Sequence, residues 1–239
     1  MDLIYTNANR VDQGVLSAYS FDLSFGEKEN DFEMTLGADE PVLEYGAYAY
    51  IEGTEHGGIV DAMEVTTNGK SIKYKGRTWH GMLNSKVIQP DSGKDYLVVS
   101  GDANEILALM IDRLGLSGLF IAEETPSGIS VSNHQFNRYC LAYDGIRAML
   151  LEHGAKLKIV WKERAVHLYA EPIVDYTEAP VDGDVATLQV LQHGKKTNHL
   201  ICLGRGDLAE REVIHLYVNQ KGKIVDSPYF TGVDHISAV

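Results

Sequence analysis

Three features of this sequence could carry chemistry: a glycine-rich turn, nine histidines and a pair of adjacent glutamates. Residues 204–209 (G-R-G-D-L-A) have the G-x-G-x-x-A spacing that lets a backbone approach a pyrophosphate, and they follow an apolar run. A dinucleotide site also needs a helix and a parallel return strand. Residues 213–218 instead have the pattern of an antiparallel partner strand. The sequence therefore predicts a loop between two strands here, and no cofactor.

The histidines lack the spacings that bind metals on a helix, because neither H-x-x-x-H nor H-E-x-x-H occurs. His56 and His80 flank different predicted strands. His153 is expected at the C-terminus of a helix, where a partly positive imidazole is favourable. The sequence thus predicts no metal-ligating residue.

Candidate catalytic groups are equally sparse. Glu123 and Glu124 are adjacent, so their side chains should point to opposite faces of a strand, whereas glycoside cleavage needs carboxylates that converge across about 5–9.5 Å. No G-x-S-x-G occurs. Cys140 and Cys202 are too few for a disulfide scaffold and are expected to be free thiols. No catalytic residue is predicted.

Composition sets outer limits on the function. The 239 residues are 44% hydrophobic. Their formal charge of −13 has the wrong sign for binding nucleic acid through its phosphates. No stretch approaches about 18 consecutive apolar residues, so no membrane insertion is expected. The start lacks a basic region followed by an apolar run, which predicts synthesis in a cytoplasm.

Residues 1–92 have the pattern of short antiparallel strands that close into a barrel. Alternation is loose over residues 15–25 and clean over residues 32–36. Residues 59–67 and 71–77 should form a hairpin turning at Asn68-Gly69, because this dipeptide supplies the positive φ angles of a tight turn. A short helix should follow, capped by Thr78.

Residues 93–182 have the pattern of an α+β unit. Asp102 with Glu105 three positions later predicts a helix N-terminus, and Gly115 can end that helix. A second helix is predicted over residues 139–153, and a hairpin turning at residues 162–164 should follow it, with its alternating apolar residues on a buried face. Trp79 and Trp161 are both expected in the core. Residues 183–239 return to strands, predicted at 185–191, 199–203, 213–218 and 223–225. The predicted fold class is therefore α+β, dominated by β structure.

Part of this pattern resembles a known family. The segments G-G-I-V-D (57–61), Y-K-G-R-T-W-H-G-M-L-N-S-K-V-I (74–88) and T-N-H-L-I-C-L-G-R-G-D-L (197–208) are similar to the tail-tip hub proteins of siphoviruses. Those proteins are related to the central baseplate hub of contractile tails. Family members carry two tube-like barrels separated by an α+β insertion, and here the strands after residue 184 are too few to close a second barrel.

The resemblance implies a structural protein of a virion or prophage tail tip, made in the cytoplasm of a bacterial host. It implies a ring of three copies that joins the tail tube to the tip and contacts tube, distal tail and tip proteins, with DNA only passing through the lumen. Acidic lumen walls would keep DNA from adhering. A monomer in isolation is compatible with this assembly. Two alternatives stay open: a cell-wall hydrolase or its targeting module, and a small-molecule or glycan-binding β module.

Overall fold

The computed structural model describes residues 2–26, 28–65, 71–175 and 196–239. Its contacts divide the chain into two compact units, Met1–Tyr176 and Thr177–Val239. Within the described residues, no helix has both the length and the apolar character needed to cross a membrane. Antiparallel sheets dominate and a few helices accompany them, which confirms the predicted fold class.

Seven strands of the first unit form one antiparallel sheet that curls into a half-barrel. They are β1 (Leu3–Thr6), β2 (Asp12–Leu16), β3 (Tyr19–Leu23), β4 (Asp31–Gly37), β5 (Tyr48–Tyr50), β6 (Gly57–Val65) and β7 (Ser71–Thr78). The order across the sheet is β2-β1-β5-β6-β7-β4-β3. Strands β2 and β3 therefore form its two edges.

The backbones of β6 and β7 approach each other closely within this sheet. A Cβ added to Gly76 would lie 1.9 Å from the carbonyl oxygen of Ile59, and one added to Gly58 would lie 2.2 Å from that of Arg77. Only glycine fits at such distances. Close packing of the two backbones therefore explains why residues 58 and 76 are glycines.

A β-bulge at Asp61 adds to this curvature, since the β6–β7 register shifts between Val60 and Ala62. The Asp61 carboxylate accepts hydrogen bonds from the Arg77 Nε at 2.7 Å and Nη2 at 2.8 Å. This bidentate pairing fixes the bulge on the outer face of the sheet.

The predicted hairpin is confirmed as a strand pair from Gly58↔Thr78 to Val65↔Ile72. The turn at Asn68-Gly69 lies outside the described residues. The predicted helix is also confirmed as α1 (Trp79–Asn84), whose Thr78 Oγ1 accepts a hydrogen bond from the Gly81 N–H at 3.3 Å.

The loosely alternating residues 15–25 divide into the end of β2 and the whole of β3. The Glu40 carboxylate accepts hydrogen bonds from the N–H groups of Ser17 and Ala18 at 3.2 and 2.7 Å. These two hydrogen bonds hold the turn between β2 and β3.

The rest of the first unit contains two longer helices and five strands. These are β8 (Val98–Asp102), α2 (Ala103–Arg113), β9 (Phe120–Ala122), β10 (Ser130–Gln135), α3 (Ala142–Glu152), β11 (Ala155–Lys162) and β12 (Ala165–Pro172). Strand β8 pairs with β10, and β12 pairs antiparallel with β11 and parallel with β9. Asp102 caps α2 as predicted, accepting a hydrogen bond from the Asn104 N–H at 2.9 Å.

Helix α3 begins at Ala142, three residues later than predicted. Tyr139 has a left-handed backbone (φ 56°), and Leu141 forms a β-bridge with Val87. The Cys140 carbonyl accepts a hydrogen bond from the Ile88 N–H at 2.8 Å. Tyr139 therefore breaks the helical path, and residues 140–141 pair with residues 87–88 instead of joining the helix.

The hairpin β11–β12 confirms the predicted alternation, with Ile159, Trp161 and Val166 on the buried face. Glu163 and Arg164 make the two-residue turn, both with left-handed backbone (φ 52° and 64°). This is the geometry of a type I′ turn, which two non-glycine residues occupy here.

One hydrophobic core joins the half-barrel to this α+β region. The Trp79 and Trp161 rings stack at 5.0 Å between centroids, and the Tyr50 ring lies 4.5 Å from that of Trp161. Both tryptophans are buried, as the sequence predicts. The backbone adds a link, because the Trp161 N–H donates to the Thr54 carbonyl at 2.8 Å. The predicted boundary at residue 92 stays a prediction.

The second unit contains a four-stranded sheet. Its strands are β13 (His199–Leu203), β14 (Val213–Val218), β15 (Ile224–Val225) and β16 (Ser237–Ala238), in the order β15-β14-β13-β16. The predicted strands at 199–203 and 213–218 are confirmed. The strand predicted at 223–225 is also present, as β15, and is one residue shorter. The strand predicted at 185–191, and the boundary at 182, lie outside the described residues.

Candidate functional site

The glycine-rich turn lies between two antiparallel strands, β13 and β14. The Gly204 N–H donates to the Glu212 carbonyl at 2.7 Å, and the Glu212 N–H donates to the Arg205 carbonyl at 2.8 Å. Gly206 has a left-handed backbone (φ 95°), and a Cβ there would lie 2.6 Å from the Glu210 carbonyl oxygen. The glycines therefore close the loop on itself, which confirms the loop predicted from the sequence.

The Glu123 carboxylate serves a local turn. It accepts a hydrogen bond from the Thr125 N–H at 3.2 Å, and this bond is the main cause that lowers the pKa of Glu123. Its own N–H donates to the Leu168 carbonyl at 3.0 Å. Glu124 follows on the exposed surface. The Glu123 carboxylate therefore has a structural role, which is to stabilise this turn.

His80 is a buried packing residue. Its ring stacks on that of Phe25 at 4.3 Å between centroids and meets the edge of Tyr143 at 5.2 Å. The His80 Nε2 lies 3.6 Å from a Glu55 carboxylate oxygen. The neighbouring His80 imidazole is the main cause that lowers the pKa of the Glu55 carboxyl.

Two histidine clusters escape a search for sequence motifs. In the first unit, His134, Glu152 and His153 each offer a potential ligand atom, and these atoms lie within 4.8 Å of one another. His134 belongs to β10 and the other two to the end of α3, so helical spacing could not reveal the group. Only the adjacent Glu-His pair at a predicted helix end gave a signal.

The second cluster lies in the C-terminal unit, around His199. The His199 Nε2 lies 2.8 Å from His215 Nδ1, and its Nδ1 lies 2.9 Å from His235 Nε2 and 2.8 Å from the Ser237 Oγ. Burial, then the neighbouring His235 and His215, lower the pKa of His199. The cluster forms because β13 pairs with both β14 and β16.

A groove of about 660 Å³ lies between α3 and β11. Charged residues (Asp144, Arg147 and Lys156) line it together with aliphatic ones, and its aromatic member, Tyr143, is buried. A glycan-binding module needs exposed aromatic rings in a concave site. This groove does not supply them.

Strand β3 forms one edge of the seven-stranded sheet and pairs there with β4 alone among the described strands. The Gly37 N–H donates to the Ala18 carbonyl, and the Ser24 N–H donates to the Asp31 carbonyl. Because residues alternate along an antiparallel ladder, the N–H groups of Phe21 and Leu23 point away from β4. Both side chains are only partly buried at the margin of the half-barrel core.

Known proteins match this chain in fold but not in sequence. No family model and no curated protein matches it. A tail protein from Neisseria meningitidis MC58 is similar in structure, with a TM-score of 0.53 and 13% identity over 99% of this chain and 70% of its own. The prophage tail protein gp18 from Listeria monocytogenes EGD-e has a TM-score of 0.47 and 14% identity over 99% of this chain and 68% of its own. At this identity, the similarity to the Neisseria protein shows a shared fold.

Proposed function

We propose that the chain is a structural, non-catalytic component of a phage or prophage tail tip, where three copies form the hub ring that joins the tail tube to the tip. The observation that carries this proposal is the fold shared with the Neisseria tail protein over 99% of the chain. The half-barrel and its curl occupy the sequence segment that resembles the hub family. The partners are further copies of this chain and the neighbouring tube, distal tail and tip proteins.

The edge strand β3 supplies a plausible contact between copies. It pairs regularly with β4 over five residues, Tyr19↔Leu36 to Leu23↔Phe32. The opposite edge strand, β2, contains a bulge at Gln13, where its register with β1 shifts, and this weakens β2 as a template for pairing. Edge pairing between different surfaces of neighbouring copies is heterologous, and such contacts form a ring when the rotation between successive copies closes.

The acidic balance of the chain fits a channel that DNA crosses without binding. The formal charge is −13. DNA carries about one negative charge per 1.7 Å of helix axis, so acidic walls repel it and basic walls retain it. We therefore place acidic side chains on the lumen side of the ring.

Location in the particle tests the role. Gold-labelled antibodies against this chain should mark the tip of intact tails, and antibodies against the tube protein, used as the control, should mark the whole length. Label along the tail shaft, or on no part of purified particles, would refute the proposal.

Leu23→Pro tests the edge contact. It removes an outward-facing N–H but leaves the β3–β4 hydrogen bonds in place, whereas the control Leu23→Ala keeps that N–H. We expect tails to incorporate the alanine variant and exclude the proline variant, with both variants folded by circular dichroism. Equal incorporation would show that β3 is not the contact.

A further inference from the structure

The first histidine cluster has one polar atom that the protein leaves without a partner. The Nε2 of His153 is buried and has no hydrogen-bond partner among the described residues. Burying an imidazole nitrogen without a hydrogen-bond partner is unfavourable. Beside it, the His134 Nδ1 and a Glu152 carboxylate oxygen lie 2.7 Å apart. The contact between His134 and Glu152 still leaves the His153 Nε2 without a hydrogen-bond partner among the described residues.

The fold holds both histidines on rigid backbone. His134 follows a bulge in β10, where the register with β8 shifts and Asn133 has a left-handed backbone (φ 49°). The Asn133 N–H donates to the Ser100 Oγ at 2.8 Å, which fixes the bulge. His153 is the C-cap of α3, and its N–H is bonded to the last turn of that helix. Bulges often aim a side chain at a functional site.

We infer that His134, Glu152 and His153 form a binding site for a divalent transition-metal ion, with zinc as the best fit. Two imidazoles and one carboxylate are a zinc ligand set that leaves a fourth position for water. Magnesium and calcium prefer oxygen ligands and fit the two histidines poorly. The carbonyl groups at the C-terminus of α3 also favour a cation there.

The required adjustment is small and falls on the most mobile ligand. Ligand atoms in a tetrahedral zinc site are about 3.3 Å apart, given Zn–N distances of about 2.0–2.1 Å. The three potential ligand atoms are already within 4.8 Å. The Glu152 side chain is 64% exposed and can move, whereas that of His134 is only 10% exposed. The ion takes the place of the direct His134–Glu152 contact and ties β10 to the end of α3.

The site assigns a protonation state to each ligand. In the metal-bound site, His134 binds through Nδ1 and carries its proton on Nε2, and His153 binds through Nε2 and carries its proton on Nδ1. Glu152 binds as the carboxylate. Zinc binding therefore releases the proton of any ligand that is protonated beforehand, and affinity falls at acidic pH.

Titration of the EDTA-treated full chain with zinc chloride tests this site by calorimetry, and Co²⁺ absorption reports the coordination geometry. We expect one ion per chain and a tetrahedral cobalt spectrum. His153→Ala and the conservative Glu152→Gln should each weaken binding at least about tenfold, since even indirect partners of a ligand contribute that much. Glu152 is exposed, so its variant should fold normally.

Two control variants separate this site from other histidines. His56→Ala lies in the same unit, and His215→Ala disrupts the cluster around His199. Both should bind zinc like the parent chain. The inference is overturned if the parent chain takes up no zinc, if Glu152→Gln and His153→Ala bind it unchanged, or if binding is lost in His215→Ala instead.

Discussion

Replacing Trp161 by alanine should destabilise the half-barrel as well as the hairpin that carries this residue. Trp161 is 1% exposed and its ring contacts those of Trp79, Tyr48 and Tyr50. Removing a buried tryptophan side chain costs about 3–5 kcal/mol of unfolding free energy. Three aromatic neighbours place this site toward the upper end of that range, because each favourable ring pair adds about 0.5–1.5 kcal/mol.

The chain contains two tryptophans, so the variant keeps Trp79 as its only indole probe. Urea unfolding followed by Trp79 fluorescence reports the half-barrel side of the core, and circular dichroism at the helical band reports α2 and α3. With a slope of about 2 kcal/mol per M, a loss of about 4 kcal/mol lowers the midpoint by about 2 M. Both probes should shift together.

The control Leu151→Ala changes an apolar residue on α3 that is 66% exposed. Its stability should stay within about 0.5 kcal/mol of the parent chain, as for other surface positions. The shared-core argument is refuted if Trp161→Ala leaves the Trp79 transition in place and moves only the helical signal. That result would support independent domains divided near residue 92.

Three further predictions concern single side chains. Asp102→Ala should lower the unfolding free energy by about 1–2 kcal/mol through loss of the α2 cap, while the exposed Asp112→Ala should change it by less than about 0.5 kcal/mol; equal effects in urea titrations would contradict this. The pKa of His199 is lowered in the folded state. The stability that the neutral His199 contributes is therefore complete above about pH 6.5, and it is lost as the pH falls from there through the folded-state pKa. Urea titrations at about pH 7.5 and about pH 5.5 should show that loss, and His199→Gln should reduce it; an unchanged pH dependence in the variant would exclude His199 as its source. Cys140 and Cys202 are free in the structure, and thiol titration of the denatured, unreduced chain should find both; a result of no thiols would indicate a disulfide.

Local signals in the sequence were sufficient for elements whose ends are set by neighbouring residues. Thr78 and Asp102 cap their helices as predicted, and the alternating residues of β11 and β12 face the core as predicted. The start of α3 was missed because its preceding residues pair with residues 86–88, which are distant in sequence. The shared core was missed for the same reason, since a stack between Trp79 and Trp161 depends on tertiary packing.

The same distinction, between features set by neighbouring residues and features set by distant ones, applies to the candidate sites. The loop at residues 204–209 was predictable because two flanking strands define it. The grouping of His134 with Glu152 and His153 was not, because a bulge in one strand and the end of a distant helix bring them together. Spacing rules detect ligands that share one element, and this group does not.

The central claim is that this chain forms the hub ring of a tail tip, and a cryo-electron microscopy reconstruction of the parent particle tests it most directly. We expect three copies around the tail axis at the tip, with β3 at the contact between neighbours and acidic side chains facing the channel. A peripheral fibre built from this chain, or a ring with a basic lumen, would contradict the account.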